Sequence, residues 1–131
     1  MTPIVRYIKP LMLVSGALTT TMIYAAIAPA AALQSTFGES LSGSVAEVVV
    51  RNWGVLIALV GLMVIHGAFY PATRRLALTV ASISKVAFIG LVLSNGGRFL
   101  GHGAGTAVAV DSVMVVLFVS YLIATGRRTA T

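Results

Sequence analysis

A chain of 131 residues that is 58% hydrophobic, 9% charged and of mean hydropathy +1.00 is not a soluble domain, whose charged share is about 25%. The net charge of +6 and pI near 10.6 do not point to nucleic acid, because the basic residues flank apolar runs instead of forming one patch. The absence of cysteine excludes disulfides, thiolate metal sites and cysteine nucleophiles.

A spanning helix needs about 20 mostly apolar residues, and four such stretches follow one another. The first covers residues 8–33. It opens after Arg6 and beside Lys9, carries Ser15, Gly16, Thr19, Thr20, Thr21 and Tyr24, and meets Pro29 near its end. Its hydroxyls can bond their own helix or glue it to a neighbour, the reading preferred here to a substrate path. Pro29 removes a backbone hydrogen bond and is expected to bend or end the helix. The basic start and the tract Ala28-Pro29-Ala30 also have the form of a cleavable signal peptide. The apolar run is longer than the usual 7–15 residues of such a leader, which favours a retained span. Residues 34–43, rich in Ser and Gly, read as a loop.

The second span covers residues 45–70. Ser44-Val45-Ala46-Glu47 has the form of a capping box, with Ser44 as N-cap and Glu47 reaching back. Stepping along one face collects Glu47, Arg51, Gly54, Ala58, Gly61, Ile65 and Ala68, a small-residue stripe that lets helices approach closely in lipid. If the stripe faces the bundle, Glu47 and Arg51 face inward at its mouth as an i,i+4 pair; the alternative is a solvated surface pair. His66 reads as a neutral core histidine.

The third span covers residues 74–95 and contains Lys85. The fourth covers residues 104–126 and contains Asp111. Between them residues 96–103, with Gly101-His102-Gly103, form a reversal, not a phosphate loop, because no strand precedes them and no Lys-Ser/Thr follows. His102 is placed there in solvent. The four spans make an all-α integral membrane antiparallel four-helix bundle, a single domain over residues 1–131.

Arg6, Lys9, Arg74, Arg75, Arg127 and Arg128 share one side of this arrangement; Arg51, Arg98, Glu39 and Glu47 share the other. The positive-inside rule puts both termini in the cytoplasm. Tyr7, Tyr70 and Tyr121 fall at that level and Trp53 and Phe99 at the other, as interfacial belts do. The arginine- and alanine-rich composition points to a GC-rich bacterial genome, hence to a bacterial inner membrane.

Ionisable groups in lipid mark either a buried pair or a functional site. Counting about 1.5 Å per residue from each span's centre puts Lys85 within about 2 Å of the midplane and Asp111 about 6 Å toward the outer side. The gap is within reach of an extended lysine, so a Lys85–Asp111 ion pair is predicted. Ser82, one turn from Lys85, is expected to accept another ammonium proton. One reading makes the pair a register pin; the other makes it the lining of a polar cavity for an ion, a proton or a small molecule. The candidate polar site is therefore Lys85, Asp111, Ser82, Arg51 and Glu47. No nucleophile–base set or cluster of metal ligands can be assembled, so no catalytic residue, metal or cofactor is assigned.

The pattern resembles the DoxX-like small bacterial inner-membrane proteins. The resemblance rests on the span count, the tract Arg51-Asn52-Trp53-Gly54 opening the second span, the Gly61-Leu62 step and the Pro71…Arg74 turn. It implies a four-helix fold and, for some members, work beside quinone-linked oxidoreductases. It carries no functional residue over. Small multidrug exporters share the length and span count, but their first span holds a glutamate and this one holds no acid. Three roles stay open: an accessory or binding subunit that self-associates or docks on a larger membrane complex, a small transporter with an outward polar cavity, and a subunit of a quinone-linked oxidoreductase. The bilayer is the one partner common to all three.

Overall fold

The computed structural model describes residues 3–129, with side chains to Gly126; the side chains of Arg127 and Arg128 lie outside the described residues. Its elements are α1 (Pro3–Thr20), a 3-10 turn (Thr21–Ile23), α2 (Tyr24–Ile27), α3 (Pro29–Phe37), α4 (Ser44–Phe69), α5 (Pro71–Leu93) and α6 (Gly103–Thr129). The segments Pro3–Ile27, Ser44–Phe69, Pro71–Leu93 and Gly103–Gly126 are each long and apolar enough to cross a membrane. The protein is an all-α, multi-pass membrane protein.

The spans form a ring. α4 packs on α1 and α5, and α6 packs on α5 and α1. Among the described residues the diagonal pairs, α1 with α5 and α4 with α6, make no backbone approach. The ring has a terminal end, where α1 begins and α4 turns into α5, and a loop end, where α3 and residues 94–102 lie.

α1 and α4 cross at two glycines. A Cβ added to Gly61 would lie 2.7 Å from the Gly16 carbonyl oxygen, and one added to Gly16 would lie 2.8 Å from that of Gly61. The small-residue stripe is thus used for close helix contact, with Gly54, Ala58, Gly61 and Ala68 buried. At the loop end the same stripe emerges: Glu47 and Arg51 are exposed. The first span has broken at Ala28 there, and α3 covers the Val50 side of α4's first turns, leaving Glu47 and Arg51 largely in the open. Of the two readings of this pair, the exposure matches the solvated surface pair and not the inward-facing one.

The first span breaks at Ala28 (φ −131°, ψ 72°), just before Pro29. Proline has no N–H, and it disfavours the α conformation in the residue before it. As the first residue of α3 it costs nothing, because the first-turn amides have no helical partner anyway. Residues 34–37 belong to α3, so the loop expected over 34–43 shortens to the stretch after Phe37. Gly38, at φ 74°, ends the helix in the left-handed conformation. A Cβ at Gly38 would collide with the His102 ring. The Tyr24 hydroxyl meets Ser35 Oγ at 3.1 Å across the break.

The capping box does not form. Gly43 (φ 104°) is the N-cap, Ser44 is already helical and no side chain caps the turn. Glu47 instead accepts from Arg51 Nη2 at 2.8 Å and Nε at 3.0 Å. An arginine one turn on is a stronger partner for a carboxylate than a neutral amide.

The terminal end is packed with apolar side chains. Phe118, Met12, Leu78 and Val64 are the largest fully buried ones, joined by Ile8, Ala68, Ala77, Ala81 and Tyr121. Tyr121 packs into this core, whereas Tyr7 and Tyr70 are exposed. His66 is exposed too, which corrects its reading as a core histidine. Its ring stacks on Tyr70 at 4.5 Å and Nδ1 meets Thr73 Oγ1 at 3.0 Å. The core-facing position beside it is taken by Gly67, against Met12 and Ala77.

Arg74 and Arg75 do more than mark a side of the membrane. Arg74 donates to the carbonyls of Gly67 (3.0 Å) and Ala68 (2.8 Å), acceptors that the end of α4 leaves without helical partners. Arg75 donates to the Leu122 carbonyl (3.2 Å) and Thr125 Oγ1 (2.6 Å), tying α5 to α6.

Candidate functional site

The apolar core stops short of the loop end, and a cavity of about 440 Å³ takes its place. Every span contributes to its wall, and α3 adds Ser35 and Thr36. Val60 and Met114 line the cavity and also pack against the core, so they form its floor.

Lys85 and Asp111 are both on this wall. α5 carries Lys85 and α6 carries Asp111 to compatible depths, and Lys85 Nζ donates to Asp111 Oδ1 at 2.8 Å. Their side chains are 10% and 19% exposed. The ion pair expected from depth counting is therefore formed, and it borders open space.

The ammonium's second contact is Thr19 Oγ1 on α1, at 3.4 Å. This corrects the expectation for Ser82, whose buried Oγ has no hydrogen-bond partner among the described residues and does not line the cavity. Ser82 is on Lys85's own helix, one turn back. The charged acceptor on α6 and the hydroxyl on α1 claim the ammonium instead, since a carboxylate is the stronger acceptor.

The hydroxyls of the first span divide. Thr20 donates to the Gly16 carbonyl at 2.7 Å and serves its own helix. Thr19, Thr21 and Ser15 face the cavity. Ser15 is 2% exposed, and its Oγ has no partner among the described residues. Reading these hydroxyls only as glue missed this. The signal was a spacing: Ser15 and Thr19 are i,i+4 and so share a face.

Arg51 and Glu47 take no part in the cavity. Their side chains are 44% and 53% exposed. Arg51 also donates through Nη1 to the Ala26 carbonyl, an acceptor that the break at Ala28 deprives of its helical partner. Glu47 borders a smaller hollow of about 210 Å³ beside Pro29 and Leu33. Arg98 pairs with Glu39 at 2.6 Å, joining the two loop-end connections. Phe37 meets Trp53 at 6.2 Å and Phe99 at 5.2 Å, an aromatic group at the mouth with Trp53 itself on the cavity wall.

Chemically, the arrangement offers hydrogen-bond donors and acceptors above an apolar floor. Among the described residues no group of three His, Asp or Glu side chains is placed to hold a metal. In comparisons with known proteins, no family model, curated protein or solved structure matches the chain.

Proposed function

We propose that this membrane protein binds a small molecule in the cavity at the loop end, with the Lys85–Asp111 pair as the fixed polar point of the site. The observation that carries this reading is the position of the pair on the wall of a cavity of about 440 Å³. A pair serving only as a register pin is best sealed by packing, since solvent weakens the attraction that offsets its desolvation. The volume lies in the range of roughly 300–1,000 Å³ that small-molecule pockets occupy. Ser15, buried and unpartnered, gives the wall a polar group for a ligand to satisfy.

The same reading sets both termini in the cytoplasm of a bacterial inner membrane, supported by Arg6, Lys9, Arg74 and Arg75 at the terminal end. The cavity then opens away from the cytoplasm. The floor of Val60 and Met114 supports binding over passage through the bundle. The DoxX-like resemblance is compatible with the architecture and contributes no residue to the site.

The natural absence of cysteine makes a direct test clean. Ser84→Cys and Thr106→Cys, on the cavity wall, should react with a membrane-impermeant maleimide added outside intact cells. Ser82→Cys, buried and off the cavity, should not. Equal protection of all three would show a dry bundle and end the proposal.

A further inference from the structure

We infer that the ligand of this cavity is an uncharged amphipathic molecule whose polar head both donates and accepts hydrogen bonds, as a primary amide or an alcohol does. The inference rests on the binding reading above and adds the chemical class.

Charge comes first. Of the residues that line the cavity, Lys85 and Asp111 alone are charged, and at 2.8 Å they neutralise each other. The site is electrically balanced inside a chain of net charge +6. A ligand with net charge would bring an uncompensated ion into a membrane interior, which is unfavourable. A neutral ligand carries no such cost.

Hydrogen-bonding capacity comes second. An ammonium has three protons, and Lys85 directs them to two protein acceptors, one of them at 3.4 Å. Asp111 uses Oδ1 toward Lys85, and its Oδ2 has no protein partner among the described residues. Ser15 Oγ is buried without a partner on the same wall. An open donor and an open carboxylate acceptor thus face one space, with the unpartnered Ser15 hydroxyl buried in its wall. A head group that only accepts, or only donates, leaves part of this unsatisfied, and an unsatisfied buried polar group keeps its full desolvation penalty.

The rest of the wall is apolar. Ile57, Val60, Phe88 and Met114 lie on it and suit a hydrocarbon tail. Methionine and aromatic side chains adapt to such tails without demanding one shape.

Trp53 is the chain's single tryptophan and it lines the cavity, so binding reads out in intrinsic fluorescence. The protein in phosphatidylcholine nanodiscs would be titrated with octanamide, octanoate and octylammonium, matched in chain and differing in head charge. At about pH 8 the carboxylate is ionised and the amine protonated. Octanamide should half-saturate the Trp53 response at a concentration at least about tenfold below either ion. Ala107→Phe, which fills the cavity from its wall, should abolish the response. Asp111→Asn should move the preference to octanoate, and Lys85→Met to octylammonium, because each leaves one charge unbalanced. The wild-type ranking decides even where these variants do not fold. An ion that binds as well as or better than octanamide overturns the neutral class and leaves the binding reading standing. Equal responses in wild type and Ala107→Phe, or none at all, overturn both.

Discussion

The two halves of the bundle use the same four helices in opposite ways. At the terminal end, Phe118, Met12, Leu78 and Val64 fill the space between spans and leave no surface exposed. At the loop end, the space is left open, with hydroxyls and one ion pair set in an otherwise apolar wall. Helix crossing does not distinguish them, because the Gly16–Gly61 contact draws α1 and α4 together midway along both spans. Packing does: the inward apolar groups meet one another in one half, and in the other they stand apart around a cavity whose wall also carries Ser15, Thr19, Ser84 and Thr106. In lipid, association depends on packing and polar contacts, with little hydrophobic drive. The packed half can therefore hold the bundle while the other half is left free to bind.

The sharpest way to break this contrast is to strip the cavity of its balance. Asp111→Ala leaves the Lys85 ammonium, 10% exposed, without a carboxylate, and should cost about 3–5 kcal/mol. Lys85→Ala should cost a similar amount. The double variant should lose less than either single one, as measured by unfolding in mixed micelles; a double variant that loses the sum of both would mean the two charges are energetically independent.

Next in size is a comparison of two phenylalanines. Phe118→Ala empties a site in the packed core and should destabilise by about 3 kcal/mol. Phe88→Ala, on the cavity wall, removes a ring that already has space on one side. It should cost less than half as much in the same unfolding experiment, and equal costs would show the loop end to be as tightly packed as the core. The smallest effect belongs to the mouth. Glu47→Gln breaks a pair whose side chains are 44% and 53% exposed, and stability should fall by no more than about 0.5 kcal/mol. A loss several times larger would draw Glu47 into the architecture of the site.

The spans were legible because hydropathy has to match the bilayer wherever the chain crosses it. The Lys85–Asp111 pair was legible for a related reason: depth along a helix is a matter of counting, and two charges at similar depth on adjacent helices have little choice of partner. Rotation about the helix axis is harder to read. The small-residue stripe gave it correctly for Gly54 to Ala68 and left Glu47 and Arg51 open between two readings, since nothing in the stripe itself shows where the first span breaks. Ser44 and Glu47 fit a capping box by spacing, yet the nearby guanidinium outcompeted the backbone amide. His66 has small neighbours, and those neighbours took the buried side. Thr19 was set among the gluing hydroxyls, and its contact with Lys85 comes from a third helix that the two-helix reasoning left out.

The break at Ala28 bears on how the protein assembles. Inside a bilayer, a helix that stops needs its last carbonyls satisfied from elsewhere. Here the Ala26 carbonyl receives its donor from Arg51, a residue of the following span. Without α4, the first span would end in an acceptor that no protein donor meets. Once α4 is alongside, the glycine crossing and the guanidinium complete it together. The first two spans are therefore tied together at the loop end, and the break at Ala28 and the placement of α4 depend on each other.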